Sequence, residues 1–236
     1  MQRGWQRAKF STRPSFLVRG RPDDATGKVA LAYAMLGTIA VLVALALGHD
    51  PIACEAWLGT TGALSVGLSA VLGAATAVAT VALTRVVVRR WGWARELHGD
   101  LRPAVRHSGD VAIVVMALAS GIGEELLFRG LLTPLLGVLL SSLAFGFLHQ
   151  VRGRARWAWA AWATLMALVF AVTFRLTGSL AGPVIAHVAI NIANLRYLRD
   201  TEVDLPPHLP KRGSRGPPPQ ARDRRGHGRV ARWLQE

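Results

Sequence analysis

Residues 111–132 read VAIVVMALASGIGEELLFRGLL, an apolar run interrupted by two adjacent carboxylates and one guanidinium. A run of this length and composition crosses a bilayer as a helix, because about 20 apolar residues span ~30 Å of hydrocarbon. Five more apolar segments share the pattern: Val29–Gly48, Gly62–Val88, Ser141–Val151 with some apolar sequence before it, Trp157–Leu176 and Leu180–Leu198. They are continuous and do not alternate polar with apolar, which excludes a barrel. The fold expected is all-α, a polytopic membrane bundle of about six transmembrane helices.

Composition agrees. Of 236 residues, 51% are hydrophobic and only 18% charged, and the charges gather in the two ends and the connections. The net charge of +14 invites a nucleic-acid reading. That reading fails because the basic residues flank apolar spans rather than cover a folded polar surface. The partners expected are therefore the lipid bilayer and a protein or peptide substrate, with no nucleic acid; the oligomeric state is left open. Cys54 is the sole cysteine, so an intrachain disulfide and a cysteine-based metal site are both excluded.

Basic residues alternate along the connections. Seven lie in 1–28, none in 49–61, six in 85–106, none in 132–140, three in 152–156 and ten from Arg196 onward. Arg175 stands alone in the fifth connection. The positive-inside rule then puts both termini in the cytoplasm of a bacterial-type cell membrane. Residues 1–28 read as a basic cytoplasmic segment, 29–200 as the bundle, and the Pro- and Arg-rich 201–236 as a disordered tail suited to anionic lipid. The second segment carries Gly59, Gly62, Gly67 and Gly73 among Ala, Ser and Thr, so it should pack inside the bundle.

Ionisable side chains in apolar helices are costly and point to function. Arg129 lies four residues after Glu125 and shares its helix face, so an i,i+4 ion pair is expected. Glu124, about 100° away around the helix, keeps no partner in its own helix and is free to act as a base. His149 and His187 are the intramembrane imidazoles. Asn191 follows His187 by one turn, and Asn194 lies three positions further along. A carboxylate and an imidazole can hold and deprotonate a water, and a His and an Asn can donate to an oxyanion. No serine or cysteine stands beside a histidine as a nucleophile. Histidines with a glutamate are also zinc ligands, so Glu124, His149 and His187 with zinc remain an alternative to a cofactor-free site.

In order, Glu124-Glu125 with Arg129, Phe145 with His149, and His187 with Asn191 resemble the CAAX protease and bacteriocin-processing family, also called the Abi or type II CAAX prenyl endopeptidase family. Phe128-Arg129-Gly130, and Thr177-Gly178-Ser179-Leu180 before Pro183, also look like its flanks. The resemblance covers roughly residues 110–195. It implies a glutamic-type intramembrane endopeptidase that processes membrane-anchored or exported protein termini. Glu124 and His149 would activate water, His187 and Asn191 would stabilise the oxyanion, and Glu125 and Arg129 would shape the site. Members are often labelled metalloproteases, although this mechanism needs no metal.

Helix rise places Glu124 ~20 Å from the cytoplasmic end of its helix and His187 ~10 Å below the opposite face. His149 meets them only if its helix starts near Ser141, with 132–140 forming an elbow. This arithmetic predicts a site that opens outward, which suits exported substrates. Two readings from other classes stay open: a non-enzymatic immunity factor or scaffold, and a proton-relaying transporter. The latter lacks the paired, interrupted halves such proteins carry.

Overall fold

The computed structural model describes residues 22–151 and 155–204. Most of the basic N-terminal segment, Arg152, Arg154 and nearly all of the Pro- and Arg-rich tail lie outside the described residues. Among the described residues seven α-helices follow one another: α1 Pro22–Ala46, α2 Gly62–Arg90, α3 Gly92–Val105, α4 Asp110–Glu125, α5 Thr133–Leu148, α6 Arg156–Thr177 and α7 Ala181–Asp200. A π-helical stretch, Leu126–Leu132, joins α4 to α5 without interruption. All six apolar segments are helical. Four stretches are long and apolar enough to cross a membrane: 26–46, 62–90, 110–148 and 156–177.

The protein is turned inside out relative to a soluble one. Leu31, Leu42, Val71, Val78 and Leu139 stand more than half exposed, while Glu124, Glu125, Arg129 and His187 are buried. An apolar exterior around a polar interior is stable only against hydrocarbon. The chain is an integral membrane protein.

Stretch 110–148 counts once by composition but is two helices in space. Gly137, at φ 79 and ψ 171, occupies backbone space open essentially to glycine alone. There the chain doubles back: the Thr133 and Ser141 hydroxyls bond at 3.0 Å, and the Phe128 and Phe145 rings meet edge to face at 4.8 Å. The turn falls within the expected elbow, four residues before Ser141. The arm after it, 138–148, is only about 16 Å long at the usual rise per residue, about half of the ~30 Å that a hydrocarbon core requires.

The reason α2 packs closely is more specific than its glycine count. Ser65, Ser69, Gly73 and Ala77 recur every four residues and form its buried stripe. The Ser65 hydroxyl donates to the Thr177 carbonyl at 2.6 Å and that of Ser69 to the Ser179 carbonyl at 2.8 Å, which satisfies groups that α6 leaves unpaired at its end. Gly73 backs directly onto Gly182, with no room for a Cβ on either. Gly59, Gly62 and Gly67 make no such approach, and two of them serve the loop through positive φ. The opposite face of α2 is lipid-exposed, so the helix lies on the bundle rather than within it.

The 49–61 connection lies across the end where α6 stops and α7 begins. Its backbone donates from Cys54 to Gly178, from Trp57 to Arg175 and from Leu58 to Leu176, and it accepts from Leu180 at Ile52. Pro51 presses on Gly130, and Arg175 stacks over the Trp57 ring at 5.4 Å. At the other end lies α3, which the sequence reading takes for a basic loop. Its 14 residues are too short and too charged to register as an apolar run, yet Ala94, Leu97, His98 and Val105 are buried along one side.

Burial pushes the Cys54 thiol above its usual range, against the lowering pull of Arg175. As the sole thiol it reports on both the seal and its side of the membrane. A membrane-impermeant maleimide should label it from the side opposite the termini, slowly at neutral pH, faster as pH rises, and at the full rate once the protein is unfolded. Labelling from the terminal side would reverse the orientation.

Candidate functional site

The site begins with two neighbouring carboxylates whose helix faces differ. Glu125 points into the bundle and is fully buried; its Oε1 accepts from Arg129 Nη1 at 3.1 Å and from His187 Nδ1 at 2.7 Å. The second guanidinium arm of Arg129 donates to the Ala167 carbonyl of α6 at 2.9 Å. The rings of Phe128, Phe145 and Phe170 surround this guanidinium at 5.9, 5.0 and 5.3 Å. Desolvating an ion pair costs more than its Coulomb attraction returns unless further bonds satisfy it. Here a carbonyl, an imidazole and three ring faces provide them. The wide turn of Leu126–Leu132, a form that recurs at functional sites, carries Arg129 to this place.

Glu124 faces the other way, toward the imidazoles. Its Oε2 lies 3.7 Å from His149 Nε2 and 3.7 Å from His187 Nε2, and this oxygen is buried with no hydrogen-bond partner. Helices α4, α5 and α7 thus bring Glu124, His149 and His187 together. Each ring is oriented through its other nitrogen. His149 Nδ1 donates to the Phe145 carbonyl at 2.8 Å, and His187 Nδ1 to the Glu125 carboxylate. A neutral imidazole so bound presents an Nε2 lone pair, and both lone pairs face Glu124. Phe145 stacks flat on His149 with centroids 4.1 Å apart, which holds the ring in that plane.

Asn191 belongs to the same cavity, one turn beyond His187, with its amide donating to the Ser120 hydroxyl at 3.1 Å. No group of three or more His, Cys, Asp and Glu side chains among the described residues has the spacing to hold a metal ion.

Two neighbours escape the sequence reading, and a third shows there only as a motif residue. Ser120 could have been found, since it lies one turn before Glu124 on the same face. Tyr33, on α1, has a hydroxyl that pairs with the Glu124 side chain. It is set there by the close crossing of α1 on Gly123, whose missing Cβ leaves room for the Tyr33 backbone. Nothing in the sequence links a tyrosine in α1 to a glutamate about ninety residues later. Phe145 is visible only as part of a motif, and its role as a platform under His149 is geometric.

A cavity of about 440 Å³ leads away from Glu124, His149, His187 and Asn191. It runs toward the end of α2, the buried side of α3 and the end of α7, past Trp93, Leu97, Trp159 and Tyr197. This corrects the expected outward opening. The 49–61 connection closes the nearer end by the hydrogen bonds described above, and α5 is too short to wall off the farther one. The shortest path by helix rise is therefore not the open path.

The Arg129 arrangement predicts an asymmetry in stability. Arg129→Met strands the Glu125 charge and should cost about 3–5 kcal/mol. The double replacement Glu125→Leu, Arg129→Met should recover much of that loss. Thermal unfolding in detergent measures both; a single variant as stable as the parent would contradict the account.

Residues 109–193 match the family described as type II CAAX prenyl endopeptidase Rce1-like. The match begins at the foot of α4, ends within α7, and leaves α1 to α3 outside it. Comparison with the curated proteins and with the solved structures found no match to either. The segment that supplies Glu124, Glu125, Arg129, His149, His187 and Asn191 is thus the one similar to the Rce1-like type II CAAX prenyl endopeptidases.

Proposed function

We propose that this protein is an intramembrane endopeptidase that hydrolyses a peptide bond with a water held between Glu124 and His149. The observation that carries this reading is the placement of one buried carboxylate oxygen, Glu124 Oε2, 3.7 Å from two imidazole nitrogens at the closed end of a cavity. A water seated between Glu124 Oε2 and His149 Nε2 can donate to both, and its lone pair stays free for the scissile carbonyl. As the C–O bond forms, the water proton passes to Glu124, and the carbonyl electrons become an oxyanion. His187 and Asn191 donate to that oxyanion. Glu124 then returns the proton to the departing amide nitrogen as the C–N bond breaks.

Charge balance favours these roles. Glu124 and Glu125 against Arg129 leave one negative charge in a buried set, and one proton shared with the imidazoles cancels it. With that proton, His187 becomes a donor at both nitrogens, as an oxyanion requires. Glu125 and Arg129 hold His187 in place rather than meeting the substrate.

The substrate follows from the opening. The cavity reaches the end where Arg85, Arg89, Arg90, Arg102 and Arg106 cluster, and the positive-inside rule makes this the cytoplasmic end. The family's description as prenyl endopeptidases fits a cavity walled by Trp93, Met116, Trp159, Trp162 and Met166, which offers apolar surface to a lipidated cysteine. We assign the substrate as the C-terminal segment of a membrane-anchored protein, presented from the cytoplasmic side. This replaces processing of exported termini.

Glu124→Gln should lower cleavage of an S-farnesyl-cysteine peptide in proteoliposomes by about 10²–10⁴-fold without loss of folded protein, the usual weight of a general base. A variant that keeps its activity would leave a scaffold role as the better reading. The reading assigns no metal to the site, so EDTA dialysis should leave the parent rate unchanged. Loss of activity that zinc restores would transfer Glu124, His149 and His187 to the alternative of metal ligands.

A further inference from the structure

Helix α1 faces lipid over most of its surface and meets the bundle along one face. Leu31, Met35, Ile39 and Leu42 are more than half exposed, while Ala40 and Ala44 are buried against Leu131. Tyr33, Gly37, Ala40 and Ala44 fall at helical spacing on the side that meets the bundle. Three of the four are small, which lets α1 approach closely. Gly37 backs onto Gly123 and Leu126, and Gly123 leaves room for the Tyr33 backbone. Tyr33 is the exception on this face, a large side chain with a polar end.

That end lies at the site. Tyr33 lines the cavity together with Glu124, His149 and His187, and its hydroxyl pairs with the Glu124 side chain. A phenol taken into apolar surroundings needs a partner for its O–H, and an ionised carboxylate can only accept. The hydroxyl is therefore the donor. Glu124 Oε2, the oxygen that faces both imidazoles, has no hydrogen-bond partner, which leaves Oε1 as the acceptor for Tyr33. The carboxylate is thereby divided: one oxygen is bonded to α1, and the other is open toward His149 and His187.

We propose that Tyr33 is the positioning residue of Glu124, fixing which carboxylate oxygen takes the proton from water. This rests on the peptidase reading and deepens it. A carboxylate without such a partner can rotate and accept a proton on either oxygen. With Oε1 occupied by a donated O–H, the proton adds at Oε2, beside the water, and from there it returns to the departing amide nitrogen. A hydrogen bond to a charged group is among the stronger ones, and it holds the side chain in this orientation. Tyr33 keeps its own proton throughout, and no bond to it forms or breaks. It stands in α1, outside residues 109–193, so the matched segment alone lacks the group that orients its own carboxylate.

The test uses the full chain in proteoliposomes with an S-farnesyl-cysteine peptide. Tyr33→Phe keeps the ring and the backbone contact at Gly123, so its thermal unfolding in detergent should match the parent. It should lower kcat by about 10–100-fold with KM unchanged, the weight of one hydrogen bond to a charged group. A 3-fluorotyrosine installed at position 33 restores a hydroxyl and should recover most of that loss. In a Glu124→Gln background, under single-turnover conditions, Tyr33→Phe should have no further effect, because the hydroxyl acts only through the carboxylate. Parent-like kcat in Tyr33→Phe, a loss expressed in KM, or an unfolded variant overturns the proposal and leaves the peptidase intact. So does an equal loss in the Glu124→Gln background, which would make the hydroxyl a direct donor to the substrate. If the parent cleaves no peptide, the peptidase reading falls and this inference with it.

Discussion

A guanidinium buried among apolar helices must be neutralised and bonded on all sides, or the helices around it will not assemble. Arg129 meets that condition with Glu125 on its own helix and the Ala167 carbonyl on α6, and Glu125 in turn binds His187 on α7. One charge requirement therefore ties α4, α6 and α7 together. Phe145 of α5 closes over the same guanidinium, so the fourth helix of the site is held by the same group. The orientation of His187 and the separation of Glu124 from Glu125 follow from this constraint.

The division of labour between adjacent glutamates is a direct result. Two neighbouring carboxylates in low dielectric need different environments. One is spent on the ion pair through its Oε1 and the other turns its Oε2 toward the two imidazoles, while each keeps one buried oxygen without a hydrogen-bond partner. The residue that ties the helices of the site together is thus next in sequence to the one whose oxygen faces both imidazoles. A substitution at either position should be read with that in mind, since loss of packing and loss of an acceptor give different signatures.

Much of this was legible in the sequence. Six apolar runs gave six helices because hydrocarbon leaves the backbone no other choice. The polar residues in those runs stood out because their burial is costly, and Glu124, Glu125, Arg129, His149, His187 and Asn191 do gather in one region. What could not be read are features made by tertiary contact. Helix α3 is short and amphipathic, so it carries too few apolar residues in sequence to register. The pairing of Tyr33 with Glu124 depends on a crossing at Gly123, and that of Arg85 with Asn194 on the parallel packing of α2 against α7. The direction of opening failed for a similar reason. Which end is sealed is decided by how the 49–61 connection folds over α6, and no periodicity encodes that.

The glycine at 137 has a consequence beyond placing an imidazole. By turning the chain back there, it starts a short arm that ends at Leu148, where the His149 and Gln150 N–H groups bond to the Gly146 and Leu148 carbonyls in place of the α-helical pattern. Irregular backbone inside a membrane protein is tolerated where it borders a cavity, and His149 lines the cavity that holds Glu124. The proposed hydrolysis needs its second reactant delivered as surely as its first, and the turn that positions a side chain also sets the end of the arm on that cavity.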